Sequence, residues 1–150
     1  MKVNVKVLSQ EFYERHGLPE RATEHSAGID LRSATYERIS VFPGRTVLVP
    51  TGLVFEVPIA VVMLLVPRSS LGHKRGIVLG NTVGVIDPDY RGEVQVSIWN
   101  RDLDGDCYHI EPGERICQAL FMPFIPVDLI GVENLSETAR GSGGFGSTGK

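Results

Sequence analysis

The chain has 150 residues, 42% hydrophobic and 22% charged, which suffices for one globular domain around a single core. A formal net charge of −3 gives no basic surface for the phosphates of a nucleic-acid polymer, while a small phosphorylated ligand remains compatible with it. The longest apolar run, Val57 to Pro67, is bounded by prolines and falls well short of the roughly 20 residues of a membrane helix, so a buried strand and no membrane association are expected.

The N-terminal stretch "MKVNVKVLSQ" alternates apolar and polar residues, the pattern of a half-buried strand and not of a signal peptide. Short β-type runs follow in order: "GIDLRS", "RTVLVP", "GLVFEVP", "AVVMLLV", "GEVQVSIWN", "RICQALFMPF" and "VDLIGV". Pro43-Gly44, Asp104-Gly105 and Pro112-Gly113 punctuate them as turns. Only "EFYERHG" and "SLGHKRG" suit short helices, so the pattern is all-β and predicts a sandwich, jelly roll or barrel. From Glu137 onward the chain is Gly, Ser and Thr around one large apolar residue, Phe145, which divides it into a domain over 1–136 and a flexible tail over 137–150.

Cys107 and Cys117 are too few for a disulfide framework and fit a reducing cytoplasm. Together with the four scattered histidines they lack the paired spacings of a zinc site.

Three body segments carry candidate chemistry. "VPRSSLGHKRGI" sets Arg68, Ser69 and Ser70 between an apolar strand and a helix start, where a guanidinium fork and two hydroxyls can meet phosphate or carboxylate oxygens. The same pattern also describes an ordinary helix cap beside a solvated arginine. In "GIVLGNTVGVIDPDYRGEV", Gly80-Asn81 and Gly84 break an apolar run into an expected tight hairpin, either a plain turn or a backbone edge open to a planar base. Asp87 follows "VGVI", where partial burial would hold its carboxylate against a water. Asp89 lies in the turn and is expected to be solvated.

Gly144 to Lys150 reads G-F-G-S-T-G-K, the spacing of a phosphate loop, but no α/β alternation precedes it, so an ordinary Walker loop is not expected. A glycine-rich tail can still wrap phosphates with its backbone N–H groups and Arg140, with Phe145 stacking on a flat ligand, or it is simply a free end.

Taken together, "AGIDLRS" (27–33), "PRSSLG" (67–72), "GNTVGVIDPDYRGEV" (80–94), "PGERICQALF" (112–121) and "RGSGGFGS" (140–147) resemble the five ordered motifs of the homotrimeric dUTPase family. The resemblance implies a β jelly-roll subunit and a homotrimer whose three sites are each assembled from all three chains. It also implies hydrolysis of dUTP to dUMP and pyrophosphate, with magnesium on the triphosphate. Residue by residue, it implies Asp87 as general base, Tyr90 against the deoxyribose, and Asn81 with the backbone through Val85 and Ile86 as uracil reader. Arg68, Ser69, Ser70 and Gln118 would face the phosphates, Gln95 would touch substrate, and Asp30 would hold Mg2+ through water. The tail would be a lid, with Arg140 on the phosphates, Phe145 over the uracil, and Gly146 and Ser147 wrapping the triphosphate. Ser70, where glycine is common, and Pro88 beside the base depart from the family pattern. Two further readings use the same site: a dCTP deaminase, which shares the fold and a stretch like Ile86 to Pro88, and a nucleotide-dependent regulator.

Overall fold

The computed structural model describes residues 1–144. In chain order it contains β1 (Asn4–Val7), α1 (Gln10–His16), β2 (Ile29–Arg32), β3 (Ile39–Val41), β4 (Thr46–Pro50), β5 (Leu53–Glu56), β6 (Val61–Val66), α2 (Ser69–Arg75), β7 (Ile77–Leu79), β8 (Gly84–Ile86), β9 (Gln95–Asn100), β10 (Tyr108–Ile110) and β11 (Arg115–Pro123). Every strand pairing is antiparallel. Four strands pair in the order β2-β11-β6-β8 and three in the order β4-β9-β7, with two-stranded ladders β1-β5 and β10-β3. This is the expected all-β jelly roll, with both short helices where the sequence predicts them.

Alternation fixes the faces. Along β6, Met63 and Leu65 are buried while Val62, Leu64 and Val66 are only partly covered, and along β9 Val96, Ile98 and Asn100 point inward. Leu31, Val41, Leu53, Met63 and Ile110 are fully buried at the centre, each worth roughly 1.5–3 kcal/mol of transfer free energy. Helix α1 adds Phe12 and Tyr13 to this core, and the Tyr13 hydroxyl donates to the Thr51 carbonyl at 2.5 Å.

Three expectations need correction. The apolar run after α2 is not a hairpin: β7 pairs with β9 and β8 with β6, so the chain crosses from one sheet to the other between residues 80 and 83. "VDLIGV" forms no strand; Val127, Leu129, Ile130 and Val132 lie at least 61% exposed, because no described element of the same chain covers them. Asp87 is exposed like Asp89, since β8 ends at Ile86 and the chain turns outward.

Candidate active site

The outer face of the four-stranded sheet carries the phosphate-side candidates. Strand β11 lies between β2 and β6, so Gln118 stands opposite Asp30 on one side and Val66 on the other. Strand β6 ends at Val66, and Arg68 leaves it in extended conformation just before α2. Three separate segments therefore meet at one carboxylate. Asp30 Oδ1 accepts from Arg68 Nε at 3.1 Å and from Gln118 Nε2 at 3.2 Å, and Oδ2 accepts from Arg115 Nη1 at 3.3 Å. The Asp30 side chain is 15% exposed, so these charge-assisted bonds are only partly screened. Ser69 and Ser70 open α2 and are exposed beside Arg68.

Sequence reasoning overlooked Arg115. It lies three residues before Gln118, which in a regular strand would put the two on opposite faces. A register shift between Arg115 and Cys117 inserts an extra residue and brings both to Asp30. Asp30 and Arg115, with Arg32, Arg21 and His16, also line a cleft of about 180 Å3. Behind them Cys117 is wholly buried. Its thiol is pushed up to about 12, first by burial and then by the Asp30 carboxylate, against Arg68, so it is no nucleophile at neutral pH.

The second group of candidates occupies the crossing and the loop after β8. Leu79 O accepts from Thr82 N at 3.1 Å, Thr82 takes a left-handed φ of 61°, and Asn81 stands exposed on this turn. Val85 is 60% exposed opposite Leu64, while Ile86 is partly covered. The following loop is cross-braced: Tyr90 N donates to Asp87 O at 3.2 Å, Arg91 Nη1 to the carbonyls of Pro88 and Tyr90 at 2.6 and 3.0 Å, and the Tyr90 hydroxyl to Glu93 O at 3.0 Å. Gln95, first in β9, is exposed opposite Pro50.

Asp87 and Arg68 stand apart along β6, whereas Gly84, at the other end of β8, pairs with Leu65 toward the Arg68 end. The last β6–β8 pair sets Ile86, just before Asp87, against Met63, and from there to Arg68 the chain runs roughly 17 Å. In the tail, Arg140 is exposed and folds its Nε onto Gly143 O at 2.9 Å. Phe145, Gly146 and Ser147 lie outside the described residues.

Residues 14–149 match the family model for dUTPase. A deoxyuridine 5'-triphosphate nucleotidohydrolase of Acinetobacter baumannii is 48% identical over 100% of this chain and 99% of its own length. That of Citrobacter koseri is 49% identical over 99% of this chain and 97% of its own. Among solved structures, the Staphylococcus bacteriophage 80alpha dUTPase with dUpNHpp superposes with a TM-score of 0.85 at 28% identity, covering 99% of each chain. A variant dUTPase of phage phi11 of S. aureus, which coordinates a structural Mg(II) ion, gives 0.76 at 25% identity over 89% of this chain and 98% of its own. With the motifs in order, the jelly roll in place and the match running nearly end to end, the chain belongs to the dUTPase family.

Proposed function

We propose that the chain hydrolyses dUTP to dUMP and pyrophosphate by attack of water at the α-phosphorus. The observation that carries this reading is the convergence of Arg68 and Gln118 on Asp30, in a chain 48% identical along its whole length to a named dUTP hydrolase. In the reaction a water oxygen bonds to the α-phosphorus, its proton passes to the Asp87 carboxylate, and the bond to the bridging oxygen breaks to release pyrophosphate. Arg68, Ser69, Ser70 and Gln118 bind the phosphates. Asn81 and the backbone through Val85 and Ile86 read the uracil, Tyr90 packs on the deoxyribose, and Gln95 is a further substrate contact. The division at residue 136 belongs to the same reading: 1–136 is the catalytic domain, and 137–150 is a lid that brings Arg140, Phe145, Gly146 and Ser147 over the nucleotide.

The separation along β6 supports the homotrimer with shared sites. Asp87 follows the β8 residue paired with Met63, well down β6 from Arg68, which favours a base and a phosphate clamp supplied by different copies. Apolar exposure supports the same assembly, since Ile125, Leu129, Ile130 and Leu135 are each more than 80% exposed. Burial of Asp87 would then come from a neighbouring subunit.

Magnesium enters this reading with the substrate, as the ion that accompanies a triphosphate and keeps several waters. Asp30, which accepts from two guanidinium groups and an amide, keeps acceptor capacity for a water of that ion's shell, and so would hold it through water. Among the described residues no group of three His, Cys, Asp or Glu side chains is arranged to hold a metal.

No described helix is long and apolar enough to cross a membrane. The two free cysteines suit a reducing cytoplasm, and the net negative charge argues against a nucleic-acid polymer as partner. The deaminase reading of the Ile86 to Pro88 stretch is not favoured, since curated relatives at 48% and 49% identity are named nucleotidohydrolases. The test is pyrophosphate release from dUTP, dTTP, dCTP and UTP. Selective turnover of dUTP is expected, and ammonia release from dCTP would overturn the reading.

A further inference from the structure

We propose that Arg91 is a positioning residue: its guanidinium holds the turn from Asp87 to Tyr90 in one shape and so places the base and the sugar-side ring together. The inference rests on the dUTP-hydrolysis reading above and adds no contact to the substrate. Asp87 and Tyr90 are the first and last residues of a single turn, closed by the bond from Tyr90 N to Asp87 O at 3.2 Å. Pro88 takes the second place in that turn, where its fixed φ suits the backbone, and its carbonyl lies outside the turn's own closing bond. Arg91 meets that carbonyl. Its Nη1 donates to Pro88 O at 2.6 Å and to Tyr90 O at 3.0 Å, so one nitrogen with two N–H groups ties the middle of the turn to its end.

Packing does not hold this turn in place. Asp87, Asp89, Tyr90 and Arg91 are exposed, and no residue from Asp87 to Glu93 belongs to the core, which resumes at Val94. A loop without buried side chains opens at low cost unless its backbone is tied. Bonds from a guanidinium to carbonyl oxygens are charge-assisted and stronger than neutral ones, which suits them to that task. The ion pair from Arg91 Nη2 to Glu56 Oε1 spans 3.9 Å with both side chains more than half exposed, so solvent screens it and it adds little. The effect therefore resides in the two carbonyls. Misplacing a reacting carboxylate by about 1 Å can cost on the order of 10²-fold in rate, so a tie on the turn bears directly on turnover. Arg91 thus acts through Asp87 and Tyr90, with its Nη1 turned onto the backbone.

The experiment measures Arg91→Gln and Arg91→Lys in the full-length protein, with dUTP and UTP as substrates and dUpNHpp, a non-hydrolysable analogue, as the binding probe. Arg91→Gln should lower kcat for dUTP roughly tenfold and the preference for dUTP over UTP roughly fivefold, with dUpNHpp binding held within about threefold and the melting temperature unchanged. Arg91→Lys keeps the charge without the planar fork, so it should restore only part of both losses, and it carries the test if the glutamine variant does not fold. In an Asp87→Asn background, Arg91→Gln should cost less than about twofold more, because a side chain that places a carboxylate then has nothing left to place. Unchanged kcat and preference in Arg91→Gln would overturn the proposal. So would a full tenfold loss on top of Asp87→Asn, which would make Arg91 a direct partner of the reacting groups. Failure of the unsubstituted protein to release pyrophosphate from dUTP, or full activity of Asp87→Asn, would instead bring down the functional reading on which this one stands.

Discussion

Tyr90 lies folded over Gly92: its hydroxyl donates to Glu93 O at 3.0 Å, and a Cβ at residue 92 would collide with its ring and hydroxyl. Gly92 therefore sets the position of the side chain proposed to exclude a ribose hydroxyl. Gly92→Ala should displace the exposed Tyr90 ring at little cost in stability and lower the preference for dUTP over UTP roughly tenfold. The ratio of the two kcat/KM values measures it, and an unchanged ratio would separate Tyr90 from sugar discrimination.

Asp87→Asn should retain dUpNHpp binding while losing turnover by roughly 10²-fold or more, because amide replaces carboxylate at the proton acceptor without changing shape. Binding and single-turnover assays separate the two effects. Near-normal pyrophosphate release would remove Asp87 from the base role.

Truncation after Ala139 should cost turnover without costing stability. Arg140, Gly141, Ser142 and Gly144 are exposed, and no described residue of the tail belongs to the core, so the melting temperature should hold. Loss of a cationic group at the phosphates should slow turnover by roughly 10²-fold. Full activity in the truncated chain would contradict the lid.

Asn100 carries the stability prediction. It is 1% exposed, donates its Nδ2 to Val41 O at 3.1 Å and Asp106 O at 3.2 Å, and accepts from Asp102 N at 3.2 Å, tying β3 and the 101–107 loop to β9. Asn100→Leu should leave these groups without their partner and cost about 2–4 kcal/mol in urea denaturation.

Alkaline pH should expose the burial of Cys117. Its folded thiol is pushed up to about 12 from an ordinary 9.0, so its contribution to stability is complete below pH 9 and declines as pH rises toward 12. The expected slope is about 1.4 kcal/mol per pH unit. Burial also raises Tyr13 and Tyr108, which add to the decline above pH 10, so the slope must be compared with that of Cys117→Ala. Equal slopes would mean that the thiol ionises freely in the fold.

The sequence made the long elements legible because alternation and proline boundaries are local signals: β6 between Pro58 and Pro67, and β9 after Gly92, appear where the pattern puts them. Three-residue strands are another matter. Ile39–Val41 and Tyr108–Ile110 went unread because each is a strand only through the other, far away in the chain. Gly80-Asn81 marks a real turn, but local glycine chemistry cannot tell that its flanks join different sheets. Apolar alternation in "VDLIGV" marks residues that seek burial without naming the surface that buries them. At the site, Gln118 and Arg68 were legible as motif members. Arg115 was not, because its place beside Asp30 depends on a bulge that no residue type announces.

On the shared-site proposal, dUTP is hydrolysed where Arg68 of one chain meets Asp87 of another. Arg68→Gln and Asp87→Asn, each nearly inactive alone, should regain roughly a quarter of normal turnover when co-expressed one to one, because random trimers then contain sites with both native side chains. Pyrophosphate release no higher than the sum of the two separate variants would contradict it.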